Sequence, residues 1–174
     1  MTAAREAAEG LSVLDITSLV SGAAVASVHV SGPMRDGLAG AGGVFLWLVF
    51  LWIGVTAAGP FLYLVRRHAR KLAGYPRLGD RLWTILGAPW VVTAMVRAVL
   101  PRTRLPSETW YSISLSAGVA CACLTSLLLV LHQWVLVNPE DAAKTSGGPW
   151  TNRVGLALAV AWPIQAGAAL VALG

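Results

Sequence analysis

The chain has 174 residues, of which 56% are apolar and only 12% charged, where a soluble globular domain carries roughly 25% charged residues. Eight acidic and thirteen basic side chains cannot supply the charged skin of a soluble body of this size, and such apolar richness excludes a disordered chain. The mean hydropathy of +0.67 and the composition specify an all-α polytopic membrane protein, and at about 20 residues per span four or five spans exhaust the chain as one membrane domain.

The first span is expected over 11–30, an apolar run interrupted by Asp15, a few Ser and Thr, and His29, with Ser12 available as a helix cap. A signal peptide is the weaker reading of this run, because such a leader is basic and here Glu6 and Glu9 outweigh Arg5. The second span, 44–65, is uncharged throughout and is stopped by Arg66 and Arg67. Its 22 residues cover about 33 Å at 1.5 Å each, enough for a bilayer core of about 30 Å. Gly59-Pro60 predicts a kink near its end. The third, 112–137, is entered through Pro106-Ser107-Glu108 and bracketed by Trp110, Tyr111 and Trp134, as an interfacial aromatic belt would be. The last is 154–173, with Trp150 at its mouth and Pro163 in its middle.

Residues 82–100 read differently. Only Leu82 to Val96 is uncharged, Gly87-Ala88-Pro89 splits the segment, and basic residues flank both ends. The expectation is therefore four transmembrane helices plus an interfacial or re-entrant helix pair, with five spans as the alternative. Nine of the thirteen basic residues (Arg66, Arg67, Arg70, Lys71, Arg77, Arg81, Arg97, Arg102, Arg104) lie in 66–104, which the positive-inside rule makes a cytoplasmic loop of a cytoplasmic (inner) membrane, with the N-terminus on the same side. Basic residues that flank apolar runs report topology, so nucleic acid is not an expected partner of the net charge of +5.

The helix faces carry packing seams. Asp15, Ser18, Gly22, Ala26 and His29 fall on one stripe of the first span, which is unsuited to lipid because small residues invite another backbone and polar groups need partners. Ser112, Ser116, Cys123, Ser126 and Gln133 do the same on the third, Gly54 and Ala58 on the second, and Gly155, Ala159, Ala166 and Ala169 on the last. Cys121 and Cys123 lie about 200° apart around a helix, share no metal or disulfide, and are expected as small core residues.

Catalytic spacings are absent: the acids other than Asp15 lie in tails or loops without pairing, and Gly37 to Gly43 leads into a span and follows no strand. Nothing points to an enzyme. Arg66, Arg67, Arg70 and Lys71 form a basic cluster that stops the second span and is suited to anionic lipid headgroups. The expected function is that of a non-catalytic integral membrane protein, a compact bundle serving as a packing or accessory subunit of a membrane complex or as a homo-oligomer, with no cofactor. Its partners would be membrane lipids and other membrane subunits or itself. One alternative is a haem-binding or redox subunit in which His29 and His132 ligate one iron, a pairing that vanishes with five spans. The other is a small transporter or channel, for which Asp15, Gln133 and Gln165 are the scattered polar groups.

Overall fold

The computed structural model describes residues 12–35, 41–69, 77–99, 108–136 and 150–173. They form five helices: α1 (Val13–Arg35), α2 (Ala41–Ala69), α3 (Leu78–Val99), α4 (Glu108–Leu131), continued by a π-helical turn at His132–Leu136, and α5 (Trp150–Leu173). Among the described residues there is no strand. Among the described residues four stretches are long and apolar enough to cross a membrane: Val13–Ser31, Gly42–His68, Leu78–Val99 and Trp110–Leu131.

The outside of the bundle is apolar and its inside is small, polar or aromatic. Val13, Val20, Leu48, Leu51, Met95, Val99, Leu124, Leu128 and Val160 all face outward, whereas Ala26, Ala57 and Ala58 are fully covered, as are the polar Asp15, Ser18, Thr56 and Asn152. In water such a surface would drive aggregation, and in hydrocarbon it is the stable arrangement.

Contacts between helices fix their directions. Asp15 at the start of α1 meets Arg66 near the end of α2, and Gly22 lies against Gly54 and Ala58, so α1 and α2 are an antiparallel hairpin. Gly59 lies against Trp83 and Gly87 against Thr56 and Pro60, and Trp90 packs on Trp52, which sets α3 antiparallel to α2. Arg97 near the end of α3 covers Tyr111 near the start of α4. Gly79 of α3 lies against Gly155 of α5 backbone to backbone, so those two run parallel. The starts of α1, α3 and α5 and the end of α2 therefore share one end of the bundle, and successive helices alternate in direction.

Residues 82–100 are not a pair of half-helices. Gly87-Ala88-Pro89 sits inside an unbroken 22-residue helix, whose mean hydropathy of 1.5 is close to the 1.6 of α1. Packing is the physical reason. Pro60 lacks the N–H that would bond the Thr56 carbonyl, and that carbonyl occupies the space a side chain at 87 would need. Gly87 thus admits α2, and Pro89 packs toward Gly118 of α4. Both residues serve contacts between helices, and neither ends one. Arg97, whose charge shortens the uncharged run, lies 3.6 Å from the Tyr111 ring centre. The basic stretch 66–104 is consequently not one loop, because α3 carries the chain from the Arg66 end to the Arg97 end.

The seam on α4 is mixed. Ser126 is buried and Cys123 and Gln133 are half-buried, but Ser112, Ser116 and Cys121 face outward. The inward face of the helix is set by Leu115, Val119 and Ala122, which displaces the hydroxyl residues toward its flank.

A Cβ at position 22 would collide with the Gly54 carbonyl and come within 2.9 Å of the Ala58 nitrogen, and neither backbone atom is free to yield. Gly22→Leu is expected to cost about 1–3 kcal/mol or more of stability by overpacking. Val20→Leu, on a residue 63% exposed, should cost nothing measurable. Thermal melting of the two variants in the same detergent checks the difference; equal melting would remove the seam as a packing surface.

Candidate functional site

Polar side chains gather at the two ends of the bundle. At the first end, Ser12 and Asp15 cap α1 reciprocally: the Asp15 carboxylate accepts the Ser12 N–H at 3.1 Å and the Ser12 hydroxyl accepts the Asp15 N–H at 3.2 Å, satisfying donors that a helix start leaves open. The same carboxylate receives Arg66 in two-pronged fashion, Nε to Oδ1 at 3.2 Å and Nη2 to Oδ2 at 3.3 Å. The third guanidinium nitrogen donates to the Thr151 hydroxyl of α5 at 3.1 Å, and the Trp150 ring centre lies 5.6 Å from the guanidinium carbon. One guanidinium therefore joins α1, α2 and α5. Beside it, the buried Asn152 side chain accepts the Gly79 N–H at 2.8 Å, so α5 also caps α3. Each of these groups is committed to holding helices.

Past the middle of the bundle, toward its far end, His29 bridges three helices. Its Nε2 faces the Trp90 carbonyl at 3.0 Å, and since a carbonyl only accepts, Nε2 carries the proton. Nδ1 is then the acceptor for the Tyr111 hydroxyl of α4, with which it is in direct contact. The imidazole also meets the Trp90 ring edge-on at 5.2 Å and stacks on Tyr111 at 6.0 Å. A single neutral tautomer satisfies both partners.

The two histidines singled out by the sequence are not brought together. His29 contacts the start of α4, and His132, which is exposed, lies 21 residues further along that helix from Tyr111, about 31 Å at 1.5 Å per residue. No single iron spans that distance within one chain, and both ring nitrogens of His29 already have protein partners. Among the described residues no group of three or more His, Cys, Asp or Glu is placed to hold a metal ion.

Of the basic cluster, Arg66 is turned inward to Asp15, whereas Arg67 is exposed and donates to the Tyr63 hydroxyl at 2.7 Å. Arg70 and Lys71 lie outside the described residues. Asp15, Ser18, Gly22, Ala26, Gly54, Ala58 and Gly155 are buried, and Ala159 is half-buried. Gln165 belongs to α5, its side chain beyond those described, and Gln133 sits on the π-helical turn of α4.

Sequence reasoning missed two partners, Arg66 for Asp15 and Tyr111 for His29. The first was within reach: if Gly22 meets Ala58 in an antiparallel hairpin, two turns back along α1 and two turns on along α2 bring residue 15 to residue 66. No comparable signal marks Tyr111, which pairs with α1 only because α3 and α4 return beside it.

Removing one member of a buried ion pair strands the other, at about 3–5 kcal/mol. Asp15→Leu alone should lower stability by about that much, and Asp15→Leu with Arg66→Met should lie closer to the wild type than either single change. Melting of the four proteins in one detergent checks this; a single variant as stable as the wild type would deny the pair its structural role.

Comparison with protein-family models, with curated proteins and with solved structures finds no match for this chain.

Proposed function

We propose that the protein is a non-catalytic integral membrane protein that crosses an inner membrane five times and serves as a packing or accessory subunit, in a homo-oligomer or in a larger membrane complex. The observation that carries this reading is the pairing of an outward apolar surface on α1 to α4, joined by Val160 of α5, with polar groups turned inward to other helices. The buried polar groups toward the two ends of the bundle bind helices to one another.

Assembly is supported by α4. Its outward side carries Ser114, Ala117, Cys121 and Thr125 at spacings that align on one helical face, all exposed. Lipid tails gain nothing from small and hydroxylated residues, whereas another helix does. Orientation is supported by charge. Arg66, Arg67, Arg77, Arg81 and Arg153 lie at the end where α1 starts, against Arg35 and Arg97 at the other, which under the positive-inside rule makes the first end cytoplasmic. Trp47 and Trp110, both well exposed near the opposite end, suit the outer interface. The exposed Arg67 is the described member of the basic cluster suited to anionic headgroups.

Two measurements test the proposal. Protein extracted from its native membrane in mild detergent should have a protein mass above the 18.2 kDa of one chain, and mild oxidation should cross-link it through Cys121 and not through the half-buried Cys123. A lone monomer would overturn the subunit reading. Paired reporters after residue 174, one active in the cytoplasm and one outside, should give the external signal, because five crossings put the chain ends on opposite sides. A cytoplasmic signal would establish an even number.

A further inference from the structure

Most of the polar groups inside the bundle have partners, and the tryptophans divide sharply. Trp83 donates its indole N–H to the Val55 carbonyl, whereas, besides Trp150 at the Arg66 end and the Ser126 hydroxyl of α4, the indole nitrogens of Trp52, Trp90 and Trp162 are buried without a hydrogen-bond partner. These three come from α2, α3 and α5 and form one aromatic cluster: Trp52 and Trp162 lie with ring centres 4.6 Å apart at 32°, and Trp52 and Trp90 5.7 Å apart at 80°. Trp162 is 1% and Trp90 8% exposed. No backbone carbonyl lies within hydrogen-bond reach of these three nitrogens, and a neighbouring ring's π face repays an N–H only weakly. A buried donor left open costs far more in hydrocarbon than beside water. Three open donors with no acceptor among them define a chemical preference.

We propose that Trp52, Trp90 and Trp162 form a donor-only site for an apolar ligand whose polar atoms are all hydrogen-bond acceptors, a ketone or a quinone. Depth selects the source. Trp162 is ten residues past Asn152 and Trp90 eleven past Gly79, which puts both about 15–17 Å along their helices from the cytoplasmic end and close to the middle of a core of about 30 Å. Lipid ester carbonyls lie at the interface, so the ligand is a free carbonyl compound dissolved in the hydrocarbon. Access follows from how α2 and α5 meet. They lack the close backbone seam that joins α1 to α2 and α3 to α5, and they touch through the Trp52–Trp162 stack and, at the cytoplasmic end, through Arg66 and Thr151. A ligand entering there parts two indoles and leaves packed backbones in place.

Benzophenone and diphenylmethane share a shape and differ by one carbonyl, and benzophenone labels its surroundings covalently under ultraviolet light. With the full chain in lipid nanodiscs, labelling by a tagged benzophenone should saturate at one per protein, map to residues near 52, 90 and 162, and meet at least about tenfold weaker competition from diphenylmethane than from untagged benzophenone, the ratio expected for one or two hydrogen bonds. The carbonyl stretch of the bound ketone should fall in frequency. Trp90→Phe and Trp162→Phe, which keep an aromatic ring, should each weaken saturable labelling several-fold, whereas Trp47→Phe on the lipid-facing surface should leave it unchanged. Labelling that never saturates, or equal competition by diphenylmethane, would overturn the site and leave the indoles to their neighbours' π faces. The competition result with the wild-type chain decides even if a Trp variant fails to fold.

Discussion

Arg66 brings a permanent charge to the end of a helix whose residues 44–65 are uncharged, and the arrangement of the bundle depends on how that charge is received. Its guanidinium offers donors in a flat fork, and three of its nitrogens find oxygen on two other helices. The carboxylate that answers it also closes the first turn of α1. A single planar group thereby fixes the rotation of α1, the reach of α2 and the docking of α5, and the Asn152 bond to Gly79 passes that constraint to α3. Buried ion pairs contribute little net stability against apolar replacements, so the pair is better understood as selecting one arrangement of four helices among several that lipid would tolerate equally.

Close backbone approach does the complementary work. In a membrane the hydrophobic effect does not favour one helix pair over another, and dispersion contacts between near-touching backbones must decide. Gly22 against Gly54 and Ala58, Gly59 against Trp83, Gly87 against Thr56 and Pro60, and Gly79 against Gly155 are four such places among the described residues. They join α1 to α2, α2 to α3 and α3 to α5. By this measure α4 is the outlier, with Pro89 against Gly118 as its described close approach, and its other anchor is Tyr111 against His29 and Arg97.

Much of this was legible in the sequence, for a physical reason. A stripe such as Asp15, Ser18, Gly22 and Ala26 has only one use in hydrocarbon, and the structure buries it. The all-helical membrane character followed from composition alone. The segment containing Gly87 and Pro89 was misread because both residues have two meanings. In a soluble helix they signal an end, but a membrane helix keeps its hydrogen-bonded form through them because its freed carbonyls lie against neighbouring helices. Composition could not show that Thr56, 31 residues earlier, holds the place of the missing side chain. The His29–Tyr111 contact was equally hidden, since it requires α3 to cross fully and return α4 beside α1. The misreading of one segment therefore concealed the partner of a histidine 58 residues away.

The Arg66 cluster also has a history in time. Chains emerge at about 5–20 residues per second, and 51 residues separate Asp15 from Arg66, so the carboxylate waits about 3–10 s for its counter-charge. Thr151 follows Arg66 by a further 85 residues. During synthesis the first helix enters the bilayer with an acid at its edge and becomes neutral only when the second completes the hairpin. The last helix then arrives at a receptor already built, and a ribosome pause between the second and fifth helices would lengthen the life of a partial bundle whose arginine still has an empty coordination position.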